Sequence, residues 1–182
     1  MCKEFKVCFS CEPCGGDHPH KCGCERYLNL YSAVSQSISP YEGSGDSIML
    51  EAQNGLSSGD FDISAAATLG DITILKAGVY HLSWTVQARM TPPIPSPVPS
   101  FSFGFWLDGA LVPGSVFSQF TQSPNDDATH VTGEVILAVK AGQKLRLRNT
   151  SVVPVSLDPN INGSVFPITV ASVCIECLKG LI

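Results

Sequence analysis

Eight cysteines carry the most distinctive chemistry of this 182-residue chain, and they are unevenly placed. Cys2, Cys8, Cys11, Cys14, Cys22 and Cys24 crowd the first residues, Cys174 and Cys177 sit near the last, and none lies between. A disulfide framework that holds a core spreads its cysteines through the fold. These thiols are confined to two ends, so the core must fold by burial and the sulfur must serve something else. Two chemistries fit. One is disulfide cross-linking between subunits, for which all eight are candidates. On a strand, Cys174 and Cys177 are three apart and point to opposite faces, a poor geometry for bonding each other. Cys177 would share a face with Val173 and Ile175, and Cys174 with Ser172. The other chemistry is zinc. Cys11-x-x-Cys14 and Cys174-x-x-Cys177 have the spacing of a four-cysteine site, with His18, His20, Cys22 and Cys24 as spare ligands. Against zinc, the second pair falls in an extended stretch rather than a knuckle. An arm of unbonded thiols fits least, because exposed thiols are reactive.

Nothing else in the chain spells out a reaction. No nucleophile elbow, zinc-protease helix or phosphate loop is present. His81 and His130 are isolated in strand-like sequence, so surface or interface roles outweigh general-base roles. Asp126, Asp127 and Asp158 have oxygen ligands for calcium but no loop pattern to gather six of them. Asn149 and Asn162 open glycosylation triplets, which are discounted because residues 1–10 lack the apolar stretch of a secretory signal. The sequence therefore predicts neither an enzyme nor a resident cofactor.

The elements that must position the thiols are strands. Residues 1–24 read as a polar, cysteine-rich connector arm, and residues 25–182 as one domain. In residues 79–90, Tyr80, Leu82, Trp84, Val86, Ala88 and Met90 alternate with His81, Ser83, Thr85, Gln87 and Arg89. That period of two puts one set on a core face. Phe101, Phe103, Phe105 and Leu107 repeat the pattern before a hairpin signal at Asp108-Gly109. Val131 to Val139 and Leu145 with Leu147 repeat it again, while residues 168–175 are apolar on both sides, as for a strand in mid-sheet. Weaker strands are expected at residues 27–37, 48–50 and 72–75. No amphipathic helix of ten residues is discernible, and five prolines in residues 92–99 require a loop. Eight to ten short strands predict an all-β sandwich, a jelly roll. Trp106 alternates out of the phenylalanine set, so it is expected to be exposed on a lone protomer and is the candidate oligomer-interface residue. Charged residues make up only 15% and the net charge is -5. Scattered single cations exclude a nucleic-acid surface, and no apolar run is long enough for a membrane helix.

Several segments in order resemble a known family. Ile74 to Trp84, with Ala77-Gly78-x-Tyr80-x-x-Ser83 inside it, is similar to a strand of the tumour-necrosis-factor-like jelly rolls, which include the globular head of a complement component. Phe103 to Phe117, Gly133 to Asn149 and Ile168 to Ser172 resemble one bacterial branch, the C-terminal domains of collagen-like glycoproteins in the exosporium of Bacillus-type spores. The resemblance spans roughly residues 25–178. It implies a homotrimer with no catalytic site on a bacterial spore surface, made in the mother-cell cytoplasm without a signal peptide. The chain lacks the Gly-X-Y stalk of those glycoproteins and carries a cysteine arm instead, as endospore-appendage subunits do. By that likeness it is a self-assembling structural subunit of a fibre or surface layer, locked by disulfides, with other coat or exosporium proteins as further partners. The alternative is a trimeric head that binds a ligand or receptor through the loops at residues 92–99 and 122–129.

Overall fold

Alternation of apolar and polar residues becomes two antiparallel sheets in the computed structural model, which describes residues 26–41, 46–53, 59–91, 100–120, 128–160 and 168–180. The strands are Tyr27–Ser32 (β1), Gln36–Ile38 (β2), Ala52–Gln53 (β3), Phe61–Asp62 (β4), Ile72–Ile74 (β5), Gly78–Met90 (β6) and Phe101–Leu107 (β7). They continue with Ala110–Leu111 (β8), Phe117–Gln119 (β9), Thr129–Val139 (β10), Lys144–Asn149 (β11), Val155–Leu157 (β12) and Ala171–Gly180 (β13). One helix, Ala66–Leu69 (α1), makes a single turn. No helix among the described residues is long and apolar enough to cross a membrane.

The first sheet runs β2-β12-β6-β13-β1-β3, with β10 on the other flank of β6; the second runs β4-β5-β11-β7-β8, with β9 also on β7. Tyr80, Leu82, Trp84 and Val86 from β6 meet Phe101, Phe103 and Phe105 from β7 across the sandwich, all essentially without solvent contact. The Trp84 and Phe103 rings meet edge-on at 6.0 Å, a favoured aromatic geometry. The predicted hairpin forms: Asp108 (φ 49°) and Gly109 (φ 81°) both take left-handed backbone, the two-residue turn that matches strand twist. Gly133 has a different reason to be glycine. A Cβ there would lie 2.7 Å from the Trp84 ring and closer still to Phe117, so β10 carries no side chain where those aromatics pack.

Three expectations shift. The strand expected at residues 27–37 splits in two, because β1 pairs with β13 and β2 with β12. Ser32 and Gln36 bond to each other (2.7 Å) and Gln36 to the Met49 carbonyl (2.8 Å), which turns the chain between the strands. Residues 48–50 form no strand. Ser47 bridges to Arg148, and the Ile48 and Leu50 amides donate to Leu147 and Ala66 at 2.9 and 3.0 Å. The last strand begins at Ala171 rather than residue 168, and a bulge between Cys177 and Lys179 lets it run on to Gly180.

Candidate functional site

The two C-terminal thiols lie on β13, between β1 and β6, and the alternation of that strand sends them opposite ways. Val173 and Ile175 are buried, and Cys177 shares their side, half-buried against the core. Cys174 belongs to the outer side, with Asn29 of β1 and Ser83 of β6 directly across from it. This is the division of faces expected from spacing alone. Cys174 and Cys177 are not joined to each other. A single metal ion on one side of the sheet would reach one of them and not the other; Cys11 and Cys14, the other two ligands of the zinc clasp, lie outside the described residues. The described residues hold no group of three or more metal-ligating side chains.

Around Cys174 the outer face of the first sheet is mostly small and polar. β6 supplies His81, Ser83 and Thr85, and β13 supplies Ser172 and Glu176. Glu134 of β10 lies 3.2 Å from His81 Nε2, and Glu176 faces His81 across the ladder on the other side. Ile136, 63% exposed, is the large apolar residue on the β10 part of this face.

The inner side of β13 ends in a second cluster. The Cys177 amide donates to the Arg26 carbonyl at 2.8 Å. The Arg26 guanidinium meets Asp60 at 3.3 Å and hydrogen-bonds Tyr80, whose hydroxyl also donates to the Lys76 carbonyl at 2.7 Å. Burial pushes the Tyr80 phenol above its ordinary pKa, against the favourable charge of Arg26. Sequence reasoning missed this cluster, since its members come from four separated stretches and no local spacing links them.

Trp106 departs from expectation. It does point away from the core, but the protomer itself covers it to 9% exposure. Tyr41 packs on it with ring centroids 5.7 Å apart, and the Arg148 guanidinium sits 4.3 Å above its ring, a cation–π stack. Arg148 in turn holds buried Asp46 by donating from Nε and Nη2 to its two carboxylate oxygens. The cover is brought from far along the chain: the Tyr41 amide donates to the Ser151 carbonyl at 2.8 Å, and Arg148 is held in place by Asp46. Arg146 repeats the device with Asp71, which is 2% exposed. Hydrogen bonds from Arg146 hold the Asp71 carboxyl below the usual carboxylate range, outweighing the cost of burial, and the charges of Arg146 and Lys144 add to them.

The remaining expected residues divide simply. Asn149 is fully buried, and its amide donates to the Ser39 and Val153 carbonyls at 3.0 and 2.9 Å while its oxygen accepts from Ser151, so it clamps a loop. Asp158 pairs with Arg89 at 3.2 Å and caps the Asn160 amide at 2.9 Å, both structural tasks. His130 is exposed at the start of β10. Cys2, Cys8, Cys11, Cys14, Cys22, Cys24, His18 and His20 lie outside the described residues, as do Asp126, Asp127, Asn162, the loop 92–99 and most of the loop 122–129. An exposed apolar run not anticipated from the sequence follows the β8 hairpin: Leu111, Val116, Phe117 and, at 71%, Phe120.

No protein-family profile matches this chain, and no curated protein does. Solved structures do. The globular domain of the zebrafish complement 1qA protein superposes with a TM-score of 0.54 at 10% identity, over 86% of this chain and 99% of that one. Eiger TNF from S. frugiperda superposes with a TM-score of 0.58 at 13% identity, over 87% and 95%. At such identities the likeness speaks for architecture alone: the fold of this chain is the tumour-necrosis-factor-like jelly roll.

Proposed function

We propose that this chain is a non-enzymatic structural subunit of a bacterial spore surface, in the exosporium or an appendage fibre. It self-assembles through jelly-roll packing about a threefold axis and is locked by disulfides from its N-terminal arm. The observation that carries the reading is the placement of sulfur. The body is cysteine-free until β13, where Cys174 belongs to the outer face of a sheet whose adjacent strand, β1, leads back to an arm with six more thiols. A thiol on that face suits a bond to a neighbouring copy better than a bond within the core. Arm-to-body links in a head-to-tail sense propagate without closing and produce a fibre. The spore setting, the homotrimer and the coat partners rest on the sequence resemblance.

The test is the size distribution of purified protein boiled in detergent, with and without reductant, a chelator being present in both. The expected result is a ladder or a polymer too large to enter the gel, which collapses to the 19.3 kDa chain only with reductant. Cys174→Ser should shorten that ladder. A single band near the chain mass in both lanes overturns the reading.

A ligand- or receptor-binding trimeric head is the second reading, favoured by the exposed run of Leu111, Val116, Phe117 and Phe120 at one stretch of the surface. Light scattering separates the two: a head stops at three copies, and a building block keeps growing.

A further inference from the structure

The tip of the β7–β8 hairpin is held from outside. Asp108 takes φ 49°, the only positive value outside glycine among the described residues, and Gly109 follows at φ 81°. Both are exposed, and a Cβ at Gly109 would meet nothing within 4 Å. Asparagine tolerates such a turn as readily as aspartate, so the turn alone does not explain the carboxylate. Its contacts do. The Asp108 amide donates to the Lys144 carbonyl at 2.9 Å, one residue past the last ladder pair of β7 and β11, Leu107 opposite Leu145. Asp108 Oδ1 accepts from the Lys144 amide at 2.8 Å, in the place that the Asp108 carbonyl would take in a continuing ladder. Oδ2 accepts from Gln143 Nε2 at 2.8 Å. An asparagine, with one oxygen, could not satisfy both donors. Gln143 is fixed in turn, its Oε1 accepting from the Lys140 amide at 2.7 Å. The two donors hold the Asp108 carboxyl below its ordinary pKa, the Lys144 amide first and Gln143 second. The turn between β10 and β11 thus clasps both oxygens of the turn between β7 and β8.

The pair so clasped is the only Asp-Gly step in the sequence. Asp-Gly is the step at which an aspartyl chain rearranges most readily, because glycine puts no side chain in the way of its own amide nitrogen. We propose that Asp108–Gly109 is a site of spontaneous isomerisation to isoaspartate, and that Gln143, with the Lys144 amide, is the restraint that delays it. In the reaction the Gly109 nitrogen bonds to Asp108 Cγ. One carboxylate oxygen leaves as water, taking the nitrogen's proton and one from solvent. Water then adds to the main-chain carbonyl carbon of the five-membered imide and breaks its bond to nitrogen. The chain now runs through the former side chain, and the old carbonyl is a carboxylate that has released its proton to solvent. The water lost at ring closure is regained at opening, and nothing is oxidised or reduced. Closure requires the carboxyl to leave both donors, and an ionised carboxylate is a poor electrophile, so the clasp slows the step twice. Once the step occurs, an extra backbone carbon enters a two-residue turn, and the pairing of Trp106 with Leu111 and of Leu107 with Ala110 loses its register. The chemistry is internal to each chain and independent of how copies assemble.

The experiment follows the full chain, kept reduced, in three incubations at one temperature and pH: wild type folded, wild type unfolded in guanidinium, and folded Gln143→Glu. Gln143→Glu keeps the acceptor for the Lys140 amide, removes the donor to Asp108 and sets a like charge beside it. Peptides carrying Asp108 are read by electron-transfer fragmentation, which tells aspartate from isoaspartate. Localising the signal separates this site from Asn54-Gly55 and Asn162-Gly163, sources of isoaspartate by deamidation that lie outside the described residues. Isoaspartate at position 108 should form about tenfold or more faster in the unfolded chain than in the folded one, the least that a hydrogen bond to a charged group is worth. Gln143→Glu should fall between them, with the sheet spectrum unchanged by circular dichroism. Equal rates in folded and unfolded wild type overturn the proposal, as does an unfolded chain that forms no isoaspartate at this position; neither comparison depends on a variant folding. A folded Gln143→Glu protein that isomerises at the wild-type rate overturns the role given to Gln143.

Discussion

Asp71 shows what a single residue contributes here. Its carboxylate is buried yet stays ionised because Arg146 bonds it. Its folded pKa lies below the unfolded value near 3.9. The pair therefore adds stability that is complete above the unfolded value and is lost as pH falls through the lower, folded one. Asp71→Asn should cost about 1–2 kcal/mol at neutral pH, a figure discounted because the Arg146 side chain is 40% exposed and screened by water. It should also flatten the acid limb of a stability-versus-pH curve measured by urea unfolding; an unchanged limb would place the acid sensitivity elsewhere. Trp106 makes the contrasting case. Packed under Tyr41 and Arg148, it should lose about 3 kcal/mol or more on Trp106→Ala. If that loss comes without a change in oligomer mass by light scattering, the residue works inside the protomer. If the oligomer dissociates first, it serves the subunit contact as well. Alternation reveals that Trp106 leaves the core set, but not that Tyr41 and Arg148 cover it. Local sequence holds the first fact, and only long-range docking, such as that of Tyr41 on Ser151, creates the second.

Among elements, β6 and β10 were the most legible, because eleven register pairs join two strands whose two-residue period is unbroken. Such runs bury one face only in one register, so a slip would expose every apolar residue at once. Short strands were not legible: β3, β4 and β8 have two residues each, too few to show any period. Gly133 tests how tightly the long pair is built. Gly133→Ala puts a methyl against Trp84 and Phe117, and overpacking should cost about 1–3 kcal/mol in equilibrium unfolding. A neutral Gly133→Ala would mean that Phe117, itself partly exposed at 38%, swings outward at little cost. The bulge of β13 is a third feature that spacing could not reveal. It begins just past Cys177, where the bond to Arg26 is made, so irregularity and sulfur fall together at the strand's end.

At the scale of the whole molecule, the described residues keep burial and sulfur largely apart. Among them, the clustered core contains no cysteine except Cys177 at its margin. Reduced protein should accordingly keep its β-sheet circular dichroism at room temperature and unfold cooperatively, at a lower temperature than the oxidised form; collapse of the spectrum on reduction would show that sulfur bonds hold the fold itself. The jelly roll was legible from the order of alternating segments, whereas the identity of the cysteine partners was not, since spacing says nothing about which chain ends meet. The pairing of β1 with β13 has an effect in time. The strand nearest the arm pairs along its whole length only with residues 171–176, which are made about 140 residues later. At roughly 5–20 residues per second of synthesis, the first sheet must wait on the order of ten to thirty seconds for its central strand. Until then β1 lacks its main partner, and β6, still without β13, can pair with β10 on its other flank. The fold thus carries its own clock, and no copy can present a finished surface to another before its last strand has left the ribosome.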